Sequence, residues 1–273
     1  MTGRVRTATA AAAVVLVLAA VSATSACGHD HQASARKTAS TNAAKPAVTI
    51  DVFAASSLTE AFTELGRMFE ASRRGVTVRF NFGGSSALAQ QVNDGAPADV
   101  FASADATTMA KVVDAGHAKG APSVFARNRL SIVVAAGNPK AVEGLADLAK
   151  PGMVVVLCAP EVPCGSLANA TLANAGVKVQ PKSLEANVKA VVTKVALGEA
   201  DAGIVYETDV KAGGPKVAGV AVEGADDPSR QAAYAIVQVV GAAHPDEARQ
   251  WVDYVTSSSE ARSVLAGFGL GSP

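Results

Sequence analysis

Two short runs of small and hydroxyl-bearing residues hold the most concentrated binding chemistry in this chain. One is Val52-Phe53-Ala54-Ala55-Ser56-Ser57-Leu58-Thr59-Glu60 and the other is Phe82-Gly83-Gly84-Ser85-Ser86-Ala87-Leu88. Each follows an apolar stretch that reads as a strand and opens a stretch with helical spacing. Each therefore offers unpaired backbone N–H groups and serine hydroxyls at a helix N-terminus, where the helix dipole favours an anion. Neither run contains Lys or Arg. Donors without cations suit a small, fully ionised oxyanion, which can only accept hydrogen bonds. The same residues also have plainer roles open to them. Ser57 and Glu60 fit a capping box, and Ser85 fits an ordinary turn before a helix.

Other chemistries find less support. A serine nucleophile needs a base beside it. His117 and His244 are the histidines of the folded region, and neither adjoins a serine run. No Gly-x-Ser-x-Gly elbow is present, so a serine hydrolase is the disfavoured alternative. The glycines of 267–271 have the wrong spacing for a dinucleotide turn. Asp105 reads as a helix N-cap and Asp99 as a loop-satisfying carboxylate, so neither is placed on the ligand. His29-Asp30-His31 could hold a metal, but two histidines in a polar leader read first as solvated.

The elements that must carry the two runs alternate strand and helix. Strands are expected at 48–54, 76–82 and 99–102, with helices at 59–72, 87–94 and 105–115. A strongly apolar strand follows at 130–135. A second series has strands at 153–157, near Val177, and at 202–205, with helices at 166–175 and 188–197. Further strands are expected at 217–222 and 234–240, and helices at 245–257 and 259–266. Strands alternating with helices indicate parallel sheets covered by helices. Two such series make a bilobed α/β plan. The apolar strands near Leu130 and Tyr234 are the expected crossovers, giving a first lobe of 48–128 plus 237–273 and a second of 129–236. The C-terminal helices then return to the first lobe. Open parallel sheets bind ligands at strand carboxyl ends, and both serine runs lie there.

The N-terminus reads as an export signal over 1–26, with Arg4 and Arg6 before an apolar run and small residues before Cys27. A Cys in that position reads as the lipidated first residue of a bacterial lipoprotein, although Thr24 stands where a branched aliphatic is usual. Simple cleavage nearby is the alternative. Residues 27–47 then form a polar tether, and the protein is held on the outer face of the cell membrane by its lipid. The full chain has 24 basic and 24 acidic residues; loss of Arg4 and Arg6 leaves a net charge of about −2. That balance argues against nucleic acid as a partner. Cys158 and Cys164 form an even pair in an exported chain, which favours a disulfide over two buried thiols.

The opening run Val52–Leu58, the block Gly95-Ala96-Pro97-Ala98-Asp99-Val100-Phe101 with Ser103-Ala104-Asp105, and Gly203-Ile204-Val205-Tyr206 together resemble the periplasmic molybdate-binding proteins of ABC importers. The blocks keep their order across nearly the whole mature chain. The resemblance implies a type II periplasmic-binding-protein fold with the ligand in the cleft between two lobes. It implies molybdate or tungstate as ligand, an ABC permease as partner, no cofactor, no catalysis and a monomer. Carried over position by position, it places the oxyanion on Ser57, Ser85, Cys164, Val188 and Tyr206. Cys164 and Val188 would act through backbone N–H groups and Tyr206 through its hydroxyl. This chain departs from the pattern in having Cys164 where a small non-thiol residue is usual, and Gly83-Gly84 in place of a more serine-rich pair. Sulfate or another tetrahedral oxyanion is the alternative ligand on the same fold.

Overall fold

The computed structural model describes residues 47–273. The signal, Cys27 and His29-Asp30-His31 lie outside the described residues. The first lobe opens with β1 (Val48–Ala55), a 3-10 turn (Ser56–Leu58) and α1 (Thr59–Ser72). It continues through β2 (Val76–Gly83), α2 (Ser85–Asn93), β3 (Val100–Ser103), α3 (Ala106–Asp114) and β4 (Ala118–Asn128). The second lobe holds β5 (Leu130–Ala135), β6 (Val155–Cys158), α4 (Pro163–Asn174), β7 (Ser183–Glu185) and α5 (Val188–Ala196). It ends with β8 (Ala202–Tyr206), α6 (Glu207–Gly213) and β9 (Val217–Ala221). The chain then returns through β10 (Ala232–Val239), α7 (Pro245–Ser257) and α8 (Ser259–Gly267).

The strands form two five-stranded sheets, ordered β2-β1-β3-β10-β4 and β7-β6-β8-β5-β9. β1 runs parallel to β2 and β3, with Val52 opposite Phe80 and Val100. β10 is antiparallel to β3 and β4. In the second sheet β6 is parallel to β7 and β8, and β5 is antiparallel to β8 and β9. The parallel strands of both sheets therefore end toward the loops that carry the serine runs and their second-lobe counterparts.

Several sequence expectations require correction. β5 lies wholly in the second sheet and β10 wholly in the first, so neither strand crosses between lobes. The expected boundary between Ile236 and Val237 falls inside β10, whose residues on both sides of it pair with β3. The crossings are instead Arg129, the single residue between β4 and β5, and residues 222–231, between β9 and β10. Apart from Gln238, β10 is apolar because helices cover the sheet on both of its sides, the usual reason for such a run. The strand expected near Val177 is absent; β7 lies at Ser183–Glu185 instead. Helix α4 starts at Pro163 rather than Ser166, since proline suits the first helical position, where no N–H partner is needed.

The C-terminal helices pack on the first lobe. Trp251 of α7 is fully buried and meets Phe62 and Phe69 of α1 edge-on, with ring centroids 5.6 and 5.2 Å apart. The other side of that sheet buries Phe53, Leu88, Phe101, Met109 and Val237 under α2 and α3. With both faces covered, β1, β2 and β3 form a rigid base for the loops beyond their ends.

Candidate functional site

A small cavity lies between the lobes, lined by Ala55, Ser56, Ser57, Gly83, Gly84, Ser85, Ala104, Val162, Pro163, Cys164, Asn187, Val188 and Tyr206. Each of these residues ends a parallel strand or lies in the segment following one: β1, β2 and β3 on one side, β6, β7 and β8 on the other. All five residues expected to hold the oxyanion are brought together here. No Lys, Arg, Asp or Glu lines the cavity. The space is small, about 20 Å³ for the centres of water-sized spheres, which suits a compact guest.

The donors come largely from helix starts. Ser85 is the first residue of α2, Cys164 the second of α4 and Val188 the first of α5. N–H groups in a helix's first turn have no intrahelical acceptor. Three helix N-termini therefore face one volume, each adding partial positive charge. Local contacts fix these turns. Asn187 Oδ1 caps α5 by accepting from Ala190 N at 3.1 Å. Gly165 lets the first turn of α4 lie against the preceding loop, since a Cβ there would stand 2.0 Å from the Ala159 carbonyl oxygen. The Cys158–Cys164 disulfide ties the end of β6 to that same turn, with Cα atoms 5.8 Å apart.

The side-chain donors are equally constrained. Ser85 Oγ accepts from Ala104 N at 3.1 Å, which leaves its own proton for the cavity. Ser57 is not a helix cap. The 3-10 turn has no side-chain cap, and Ser57 Oγ lies 2.7 Å from Tyr234 Oη. Glu60 does not reach back as a capping box requires; its carboxylate takes Lys189 Nζ at 2.7 and 2.8 Å across the cleft. Tyr206 is buried, and its hydroxyl has no partner among the described residues. Burial, helped by the neighbouring Tyr234 and Asp209, raises its pKa well above the ordinary phenol value, so it remains an O–H donor.

Asp105 caps α3 by accepting from Thr108 N, and Asp99 accepts from Asp51 N and His244 N. Neither carboxylate lines the cavity, and neither do His117 and His244. The sequence reading missed Ser56 and Asn187 as lining residues and Tyr234 as the partner of Ser57. Asn187 carried a signal, an N-cap residue type directly before an apolar helical repeat.

The lobes touch around the cavity. Ser86 Oγ donates to the Glu161 carbonyl at 2.6 Å, and Gly84 packs on Ala186 so closely that a Cβ would stand 2.3 Å from its carbonyl oxygen. This is a two-lobed clamp around a small neutral donor site, and its sequence pattern matches the bacterial extracellular solute-binding protein family over residues 50–271. The chain belongs to that family. It is 44% identical over 224 residues to the molybdate-binding protein ModA of Mycobacterium tuberculosis H37Rv, covering 82% of this chain and 85% of the relative. Among solved structures, the Azotobacter vinelandii periplasmic molybdate-binding protein superposes with a TM-score of 0.71 at 21% identity, covering 82% of this chain and 99% of that one. The Mycobacterium tuberculosis sulfate-binding protein SubI gives 0.72 at 22% identity, covering 82% and 86%. The fold is that of the periplasmic binding proteins, two mixed α/β sheets with helices. Proteins of this family serve outside the cytoplasm, and among the described residues no helix is long and apolar enough to cross a membrane.

Proposed function

We propose that this chain captures molybdate, and tungstate equally, and delivers it to an ABC permease without catalysing a reaction or needing a cofactor. It acts as a monomer on the outer face of the cell membrane, held by a lipid on Cys27. Ser57 and Ser85 donate from the first lobe; the Cys164 and Val188 N–H groups and the Tyr206 hydroxyl donate from the second. The observation that carries this reading is the cavity's content of hydrogen-bond donors without a charged side chain. Molybdate is a doubly charged tetrahedron that carries no proton at neutral pH, so each of its oxygens can only accept. Hydrogen phosphate must place a proton on an acceptor, and this cavity provides no carboxylate for it. The identity to ModA favours molybdate over sulfate within the same fold.

Charge-assisted hydrogen bonds contribute roughly 1.5–3 kcal/mol each. Seven donors, a hydroxyl and an N–H from each of Ser57 and Ser85 with the three of the second lobe, give a gross gain of about 10–20 kcal/mol, against about 12 for nanomolar binding. Calorimetry of the tether-free protein with molybdate, tungstate, sulfate and phosphate tests the reading. Heat with molybdate and tungstate is expected. Heat with sulfate and none with molybdate overturns the choice of ligand, and turnover of an ester or phosphate substrate overturns the binding role.

A further inference from the structure

Behind Ser57 runs a buried chain of polar groups that does not line the cavity. Ser57 Oγ is 2.7 Å from Tyr234 Oη. Asn128 Nδ2 donates to that same Tyr234 oxygen at 3.3 Å and to Thr208 Oγ1 at 2.8 Å. Asn128 and Tyr234 are almost completely buried, and Thr208 is nearly so. The chain spans the hinge: Asn128 closes β4 just before the Arg129 crossing, Tyr234 is in β10, and Thr208 is in α6 of the second lobe.

The direction of every bond follows from the amide. An NH2 group can only donate, and here one proton serves Thr208 and the other Tyr234. The Asn128 Oδ1 has no partner among the described residues. The opposite amide orientation would strand two N–H groups in place of one oxygen, and orphaned buried N–H groups are the rarer defect. Tyr234 Oη is thus an acceptor from Asn128, and its single proton turns to Ser57 Oγ. Ser57 accepts it, so the serine's own proton is directed away from Tyr234, toward the cavity that Ser57 lines.

We propose that Asn128 and Tyr234 are positioning residues that lock the Ser57 hydroxyl as a donor into the cleft. This rests on the oxyanion-capture reading above and deepens it. An unrestrained serine can present either its proton or a lone pair, and so can accept the O–H of hydrogen phosphate. The locked serine cannot, and discrimination against protonated oxyanions follows. Ser85, whose oxygen already accepts from Ala104 N, is fixed in the same sense by backbone.

The test reverses the chain. Asn128→Asp keeps the shape and, at a pH of about 9 where a buried carboxyl is ionised, can only accept, so the Tyr234 proton turns to it and Ser57 is left to donate toward Tyr234; the comparisons below are made at that pH. Calorimetry with molybdate should show a loss of at least 100-fold for Asn128→Asp in the native background. In combination with Tyr234→Phe the same change should lose no more than about 10-fold, the remainder being charge repulsion through space. Equal losses in both backgrounds, or a near-neutral Asn128→Asp, overturn the relay, since coupled residues are non-additive. Tyr234→Phe alone keeps the ring packing and serves if the aspartate variant does not fold. Its affinity ratio for molybdate over hydrogen phosphate should fall at least fivefold, and an unchanged ratio overturns the proposal. A readout independent of ligand is the Tyr234 hydroxyl proton by NMR. It should move downfield in Asn128→Asp as its acceptor becomes charged, and an unmoved resonance overturns the relay whichever anion the chain binds.

Discussion

Gly84→Ala is expected to separate binding from folding. Gly84 has φ −64° and ψ 128°, a backbone that alanine adopts without strain, so nothing local opposes the added methyl. The obstacle is the other lobe. A Cβ at this position would stand 2.3 Å from the Ala186 carbonyl oxygen, where ordinary contact begins at 3.4 Å. The lobes must therefore stay about 1 Å further apart at that point. Gly84 directly precedes Ser85, and Ala186 lies two residues before Val188, so the wedge acts beside the donors. Hydrogen bonds stretched by that amount beyond about 2.9 Å are effectively lost. Losing two of the three second-lobe donors costs about 3–6 kcal/mol, which is roughly 10²–10⁴ in affinity. Each lobe keeps its own core, so ligand-free stability should change by less than about 0.5 kcal/mol. Titration calorimetry with molybdate and ligand-free thermal melting measure the two quantities. An affinity within threefold of the parent, or a ligand-free stability loss above about 1 kcal/mol, refutes the reasoning.

Three further outcomes are expected. Tyr206→Phe removes a buried hydroxyl that has no partner among the described residues, so molybdate affinity should drop about 10- to 100-fold while ligand-free melting holds or rises, both read by calorimetry. Reducing the Cys158–Cys164 bridge, which closes a short loop of sequence separation 6, should cost about 2 kcal/mol of stability and weaken anion binding more than that; equal affinity in both redox forms removes the idea. Asp209 is pushed up to about 7, above its ordinary 3.8, by burial, with Lys189 opposing. The folded state thus holds this proton more tightly than the unfolded chain, so its stabilisation is complete below about pH 4 and disappears as pH rises to 7. The gap sets an upper bound of about 4 kcal/mol, and denaturant melts of Asp209→Asn across that range should lack the slope.

Most of the architecture was legible because it rests on local periodicity. The alternating Val76, Val78, Phe80 and Phe82 and the helical spacing of Phe62, Leu65 and Phe69 each mark an element and its buried face. The five residues expected to hold the oxyanion came from the resemblance, and the structure gathers them around one cavity; the residues alone could not single them out, since helix starts at Ser85, Cys164 and Val188 look alike whether or not they bind anything. What escaped was set by pairing between distant segments. Nothing in the run around Tyr234 shows that its hydroxyl meets Ser57, 177 residues away. The capping-box reading of Ser57 and Glu60 was chemically sound yet failed. Both side chains found tertiary partners, Tyr234 and Lys189, with better uses for them. The crossovers were misplaced for a related reason. An apolar strand reads the same whether it links two sheets or sits at the centre of one.

On the proposed reading, the position of Lys189 bears on how the site would hold an anion. It directly follows Val188, and its charge would be the obvious attraction for an oxyanion. Its ammonium instead lies 2.7 Å from Glu60 and 3.8 Å from Asp209, and it does not line the cavity. The cation is thus balanced by carboxylates, and the binding field is left to helix starts and hydroxyls. Such dipoles are fixed by the fold and need little reorganisation when the guest arrives. A lysine in the cavity would add Coulomb attraction but would carry a large desolvation cost on closure. The Lys189–Glu60 pair joins α5 of one lobe to α1 of the other and so favours the closed arrangement. Closure therefore neutralises charge at the rim while bringing neutral donors together at the centre. On the proposed reading, an anion that satisfies those donors favours the closed form, and that change of shape is what a permease would read.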